Sequence, residues 1–232
     1  MFDIIYNGLK PDDFRAWLAT IPVLTHSTIN RTRVSIPYHD GEMLVDDASR
    51  GNASWQCMIH LRRSDYVTKI RNIRRWLSGE GILRIHTDGN PDSYYEVEQV
   101  TQTEDIRKDE TYGRLTVSFE VYPYEFLDSG EDEISNPSTI VNPADLCKPE
   151  YIIEGSGSGT LTVNGNNMIL NSVSTKLTID TRRQVAKDNS NNDANDKIKG
   201  DYRGLYLKNG NNTVSISGGL TLKVIPHWGY KI

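Results

Sequence analysis

The chain has 232 residues, of which 37% are hydrophobic, with a formal net charge of −5 and only two cysteines. That composition excludes a disulfide-stapled miniprotein and an intrinsically disordered chain, and no apolar run approaches the ~18 residues of a membrane helix. The opening Met1-Phe-Asp-Ile-Ile5 has neither a basic stretch nor a long apolar run, so no secretory leader is expected and the chain reads as a soluble cytoplasmic product.

The charge is unevenly spread. Residues 1–135 hold 15 basic against 23 acidic groups, a balance of −8, and residues 136–232 hold 11 against 8, a balance of +3. An acidic first half is a poor partner for phosphate backbones, whose affinity comes from cations that displace counterions.

Taken in order, the first candidate element is a helix starting near Pro11, with Phe14, Trp17, Leu18 and Ile21 on one face. Trp55, Cys57, Ile59 and Leu61 alternate with polar neighbours, the period of a half-buried strand. A second helix follows Ser64 as N-cap, with Tyr66, Ile70, Ile73 and Leu77 on one side and Lys69, Arg71, Arg74 and Arg75 on the other, ending near Gly79. Leu115, Val117, Phe119 and Val121 form another alternating strand.

Next comes the stretch 135–149, with Pro137, Pro143 and Pro149 spaced six residues apart, which predicts an extended connector between two domains. The expected division is therefore 1–134, a 135–149 linker, and 150–232. The last part reads as all β: Leu161/Val163, Leu177/Ile179, Leu205/Leu207, Val214/Ile216 and Leu220/Leu222/Val224 alternate on short segments. Asn164-Gly165 and Asn209-Gly210 supply hairpin turns. Gly155-Ser-Gly-Ser-Gly159 reads as a flexible turn, and the polar stretch 187–199 as an exposed mobile loop. The fold class is mainly β: a β-rich α+β first domain with short helices, then a β-sandwich.

Catalytic and metal chemistry find little support. His26, His39, His60, His86 and His227 are scattered without ligand spacing, and His86 with Asp88 fits a solvated strand end better than an ion site. Cys57 and Cys147 form no CxxC, and Cys57 shares the apolar face of its strand, as an inert buried thiol would. Carboxylate pairs such as Asp46-Asp47 and Glu96/Glu98 arise by chance in a chain this acidic. No catalytic residue, metal ligand or cofactor is expected. Tyr202, Tyr206 and Trp228 are candidate glycan contacts, since aromatics on a sandwich surface can stack on sugars, with core packing or edge covering as the competing role.

Four segments together carry a resemblance. They are Phe2-Asp-Ile-Ile-Tyr-Asn-Gly8, Val121-Tyr-Pro-Tyr-Glu-Phe126, Lys148-Pro-Glu-Tyr-Ile-Ile-Glu-Gly-Ser-Gly-Ser-Gly159, and the run from Gly204 to Pro226. In sequence order they resemble the distal tail protein (Dit) family of long-tailed bacteriophages, the siphoviruses. The resemblance implies an N-terminal belt domain closing into a homo-hexameric ring at the tail tip, and a C-terminal galectin-like or carbohydrate-binding-module-like sandwich. It also implies a structural virion protein of the baseplate, assembled in the host cytoplasm. Its implied partners are the major tail tube protein and a tail-associated (Tal-like) protein, with receptor-binding proteins or host glycans in some relatives. DNA would pass through the ring without being specifically bound, and nothing would insert into a membrane. The alternative is a carbohydrate-binding module on an adaptor domain, recognising host surface glycans.

Overall fold

The computed structural model describes residues 3–38, 40–86, 92–105 and 112–232, with the side chains at 47–48, 63–68 and 105 left aside. The chain divides into two compact units, Met1–Glu125 with Lys231–Ile232, and Phe126–Tyr230.

The first unit contains β1 (Asp3–Tyr6), β2 (Ala16–Leu18), β3 (Val23–Thr25), β4 (Ile29–Ser35), β5 (Glu42–Arg50) and β6 (Ala53–Arg62). Helix α1 (Arg63–Trp76) follows, then β7 (Gly81–His86), β8 (Ser93–Asp105) and β9 (Tyr112–Val121); β10 (Tyr124–Leu127) crosses the division. The antiparallel sheet runs β1-β7-β8-β9-β6-β2, with β3 beside β2 on the same edge of β6. The two strands expected from alternation pair along their whole length, Ala53 opposite Val121 through Arg62 opposite Tyr112. Their inward residues Cys57, Ile59, Leu61, Leu115, Val117 and Phe119 are buried.

Helix α1 lays Ile70, Ile73 and Trp76 into that core, while Arg71, Arg74 and Arg75 face solvent. Each such buried side chain contributes about 1.5–3 kcal/mol by leaving water. Ser64 lies inside the helix rather than capping it, because α1 continues directly from β6 at Arg63. The Trp76 indole donates to the Tyr6 carbonyl at 2.8 Å, and the Gln102 amide donates to the Arg74 and Leu77 carbonyls, occupying acceptors the helix end leaves open.

The helix expected from Pro11 is one 3-10 turn, Pro11–Phe14. Arg15 takes a left-handed φ of 53°, which ends the turn, and the chain then extends as β2 against Ile59–Leu61. Phe14 still stacks on Trp76, but Trp17 turns to the opposite, outward face of the sheet.

The second unit contains β11 (Ile134–Ser135), β12 (Thr139–Asn142), β13 (Glu150–Val163), β14 (Asn166–Asp180), β15 (Val185–Asp188), β16 (Ile198–Lys199), β17 (Gly210–Ile216) and β18 (Thr221–Ile225). A final strand, β19 (Gly229–Lys231), leads out of it. The framework is the long β13–β14 hairpin, closed by Asn164 (φ 50°) and Gly165 (φ 84°), a two-residue turn with both angles positive. Glu150–Glu154 of β13 pairs with β18, and Leu161–Val163 pairs with β17. The glycine run therefore lies within β13, where the register shifts between Gly157 and Gly159, and is not a turn between strands. A bulge with glycines lets one strand bend and serve two neighbours. A Cβ at Gly159 would overlap the Ser217 carbonyl, so the glycine admits the β17–β18 connection at close range.

Four other expectations change. The proline-spaced stretch is not a free connector: Ile140, Ala144 and Cys147 are buried in the second core, and Thr139–Asn142 pairs with β17. Leu205 and Leu207 are both buried, but Leu205 ends a 3-10 turn (Tyr202–Leu205) instead of sharing a strand with Leu207. Asn209-Gly210 opens β17 and forms no two-residue hairpin. The polar stretch 187–199 is ordered by its own side chains. Asp188 accepts the Ser190 and Asn192 amides at 2.8 and 2.9 Å, Asn195 accepts the Ala186 amide at 2.7 Å, and Ala194 is buried.

The division also redistributes charge. The cluster Asp128, Glu131, Asp132 and Glu133 falls in the second unit, so the balances become 16 basic against 19 acidic (−3) and 10 against 12 (−2).

Candidate functional site

The β4–β5 hairpin of the first unit is a two-stranded sheet of its own. Its register runs from Arg31 opposite Asp46 to Ser35 opposite Glu42. Every β4 side chain is exposed, and Val34, Met43, Leu44 and Val45 keep 40–57% of their surface in water. The base is anchored: Ser27 donates to the Ile232 carbonyl, Arg50 donates to the Ser27 hydroxyl at 3.2 Å, and the Gly51 amide reaches Thr28 at 3.0 Å. Two cross-strand ion pairs, Arg33–Glu42 at 3.6 Å and Arg31–Asp46 at 4.0 Å, add little on an exposed surface. A lone two-stranded ribbon is marginal in water, and one bearing a row of uncovered apolar side chains has the character of an interaction surface. Alternation of Val34 with Ile36 and of Met43 with Val45 was the available signal, although no core-facing partner strand follows in the sequence to make it specific.

A second surface lies on the outward face of β2, β6 and β9. Trp17 meets Tyr112 edge-on at 5.1 Å and His60 at 6.0 Å, while His60 stacks on Tyr112 at 6.0 Å. Trp17 and Tyr112 are 37% and 42% exposed, and Ile21 and Val23 continue the apolar surface along the same edge at 59% and 62%. Tryptophan and tyrosine held by mutual packing are the residue types that dominate interface energetics. Helical spacing predicts Trp17 and Ile21 on one helix face, whereas strand β2 turns Trp17 outward.

The candidate glycan contacts do not form one site. Trp228 is 6% exposed and packed in the second core, so it presents no face to a sugar. Tyr202 is half-buried against the same core and donates to the Asn195 side chain at 2.7 Å. Tyr206 is half-buried with the Lys148 ammonium 5.9 Å from its ring centre.

Among the described residues no group of three or more His, Cys, Asp or Glu side chains could hold a metal ion. His39 and Asp88 lie outside the described residues. Both cysteines are buried, and desolvation pushes the Cys57 thiol up to about 12, so it carries no thiolate at neutral pH. Burial also raises Cys147 and Tyr151, the latter donating to the Leu205 carbonyl at 2.7 Å. Of the carboxylates singled out in sequence, Glu98 accepts the Asn52 amide at 2.6 Å. The Cys147 thiol donates to the Asp145 carbonyl at 3.2 Å, and Asp46 pairs with Arg31.

No protein-family profile matches the chain, and no curated protein matches it by sequence. Among solved structures, the Dit protein of phage SPP1 superposes with a TM-score of 0.67 at 13% sequence identity, covering 100% of this chain and 99% of that one. The chain has the fold of a Dit protein. The SPP1 Dit protein is described as a paradigm of the hub adsorption apparatus in phages that infect Gram-positive bacteria. The Dit fold accounts for both units at once, since the correspondence spans the whole of this chain. No helix among the described residues is long and apolar enough to cross a membrane.

Proposed function

We propose that this protein is a structural hub of a long-tailed phage tail tip: a Dit-type virion component that closes into a ring of six copies. In this reading the ring joins the tail tube to a tail-associated protein and to the host-adsorption apparatus. The observation that carries it is the end-to-end correspondence with the SPP1 Dit protein. A shared architecture over a whole chain is a stronger constraint than a match to one domain.

Two features of the chain support the ring. A cyclic assembly needs a heterologous interface, in which one patch meets a different patch on the next copy until the rotation closes. The apolar β4–β5 arm and the Trp17–Tyr112 edge are separate surfaces of the first unit with the composition such an interface uses. The near-balanced charge of that unit, −3, suits a channel that passes DNA without gripping it.

Mass photometry of the full chain, alone and with the cognate tail-tube protein, tests the proposal. A species near six times 26.3 kDa, seen as a ring by negative-stain microscopy, is the expected result. A strict monomer at tens of micromolar with the tail-tube protein present, or absence of the protein from purified virions by immunogold labelling, would overturn it.

A further inference from the structure

The outward face of the second unit carries a polar groove of about 510 Å³ along β14 and β15. Strand periodicity builds it: Lys176, Thr178 and Asp180 point out, while Leu177 and Ile179 between them point into the core. Lys187 of β15 lies directly across from Thr178, and Glu150 of β13 lies across from Asp180. Of the lining residues only Val185 is apolar, which is the wrong lining for a cofactor or a greasy ligand.

The groove's charges are unequally committed. The Asp180 carboxylate accepts the backbone amides of Arg182 and Arg183, both at 2.9 Å, and lies 3.8 Å from the Arg183 guanidinium. Asp188 accepts the Ser190 and Asn192 amides and, at 3.3 Å, the Asn192 side chain; the bonds from Asn192 lead in holding its carboxyl below the usual carboxylate range. Glu154, which faces Lys176 across the strands, is engaged by Lys223 at 3.5 Å. Lys176 and Lys187 are both half-buried, and neither has a carboxylate within 4.0 Å among the described residues. They are diagonal neighbours on adjacent strands, a geometry that places Cα atoms roughly 7–8 Å apart. Two lysines at that spacing repel each other unless an anion lies between them. Glu150 is the one groove carboxylate with no ion pair or hydrogen bond among the described residues, and so stays available to accept a hydroxyl.

We propose that this groove binds a phosphate-bearing polyol, its phosphate held between Lys176 and Lys187 and a neighbouring hydroxyl donating to Glu150. Arg183, 78% exposed at its side chain, closes over the phosphate from the groove's rim, and the Asn189 and Asn191 amides offer further donors. The recognised chemistry is a phosphate next to hydroxyls, whether it arrives as a repeating surface polymer or as a small phosphate ester. The site is complete within one copy and does not depend on ring formation. In a ring, the copies would add avidity toward a polymer and none toward a monoester.

Calorimetric titration of the full chain at 50 mM NaCl tests this with five probes: poly(glycerol phosphate), glycerol 1-phosphate, inorganic phosphate, polygalacturonate and dextran. Binding of both phosphate esters is expected, weakening at least tenfold at 300 mM NaCl, with polygalacturonate weaker and dextran silent. The double variant K176Q/K187Q should lose at least tenfold in affinity for both phosphate esters. Glu150→Ala, which removes the hydroxyl's acceptor, should weaken glycerol 1-phosphate relative to inorganic phosphate. Amide shift changes in the wild-type chain, confined to residues 150 and 176–191, supply a readout that does not depend on the variants folding. A polymer that binds while the monoester does not would place the source in a repeating polymer; the reverse would place it in a small ester. No binding of either phosphate ester at millimolar concentration, equal binding of dextran or polygalacturonate, or full affinity in the double variant would overturn the proposal.

Discussion

Asn212 offers the sharpest test of how the second unit is held together. It is fully buried, and its amide donates to the Lys208 carbonyl at 2.8 Å and the Gly210 carbonyl at 2.9 Å. Its oxygen accepts the Lys208 amide at 2.9 Å and the Asn164 side chain at 2.8 Å. One side chain therefore joins the start of β17 to the Asn164-Gly165 turn, whose Asn164 in turn bonds both main-chain groups of Thr213. Replacing Asn212 with leucine, similar in size, leaves these groups buried and unanswered. With about 1 kcal/mol for each of the three best main-chain bonds and some relief as Asn164 reorients, the expected loss is about 3–4 kcal/mol. For a unit spanning Phe126–Tyr230 this lowers the melting temperature by roughly 15 °C. Differential scanning calorimetry and urea titration measure it, with Asn211→Ala as control, since Asn211 is exposed on the same strand and its loss should stay within about 0.5 kcal/mol. A loss below about 1 kcal/mol for Asn212→Leu, or equal losses for both variants, would refute the assignment of Asn212 as the organising node.

Three further outcomes are expected. Met43→Ser with Leu44→Ser removes side chains that are 50% and 57% exposed, so the isolated fold should keep its melting temperature. Covering what remains exposed contributes about 1–1.5 kcal/mol per side chain, so assembly followed by mass photometry should weaken roughly 30–150-fold. Gly159→Ala should destabilise by about 1–3 kcal/mol in urea melts, because the added methyl meets the Ser217 carbonyl. Cys57 has a folded pKa near 12, above that of an exposed thiol, so the contribution of its neutral form is complete below about pH 9 and declines as the unfolded thiol ionises above it. Urea midpoints measured from pH 8 to 11 should fall more steeply for the wild type than for Cys57→Ala, and parallel slopes would refute the assignment.

What was legible in the sequence were elements whose own pattern is decisive. Alternation in β6 and β9 survived intact because burial on one face and water on the other enforce a period of two. Asn164-Gly165 was legible because few dipeptides accept two consecutive positive φ angles. The glycine run failed for the converse reason: glycines serve a flexible turn and a bulged strand equally well, and the deciding neighbour, the Ser217 carbonyl, is nearly sixty residues away. The stretch 187–199 looked mobile because it is polar, yet its order comes from side chains bonding backbone amides, which hydropathy does not register. Among the candidate sites, Trp228 fell into the core and the apolar arm went unseen. One sequence gives each residue's chemistry, but which face of an element meets solvent is set by packing.

The sequence alone determined a β-rich chain in two parts, poor in cysteine, without metal-ligand spacing, and with a resemblance in order from end to end to the Dit family. Those properties are local or compositional, and they do not depend on which segments meet. The tertiary structure alone decided where the parts divide. Phe126 to Pro149 packs into the second core, so the acidic cluster at 128–133 moves with it, and an apparent −8 against +3 becomes −3 against −2. Charge counted along a chain follows sequence order, whereas the field a partner meets follows the folded surface, and long-range burial is what relates the two.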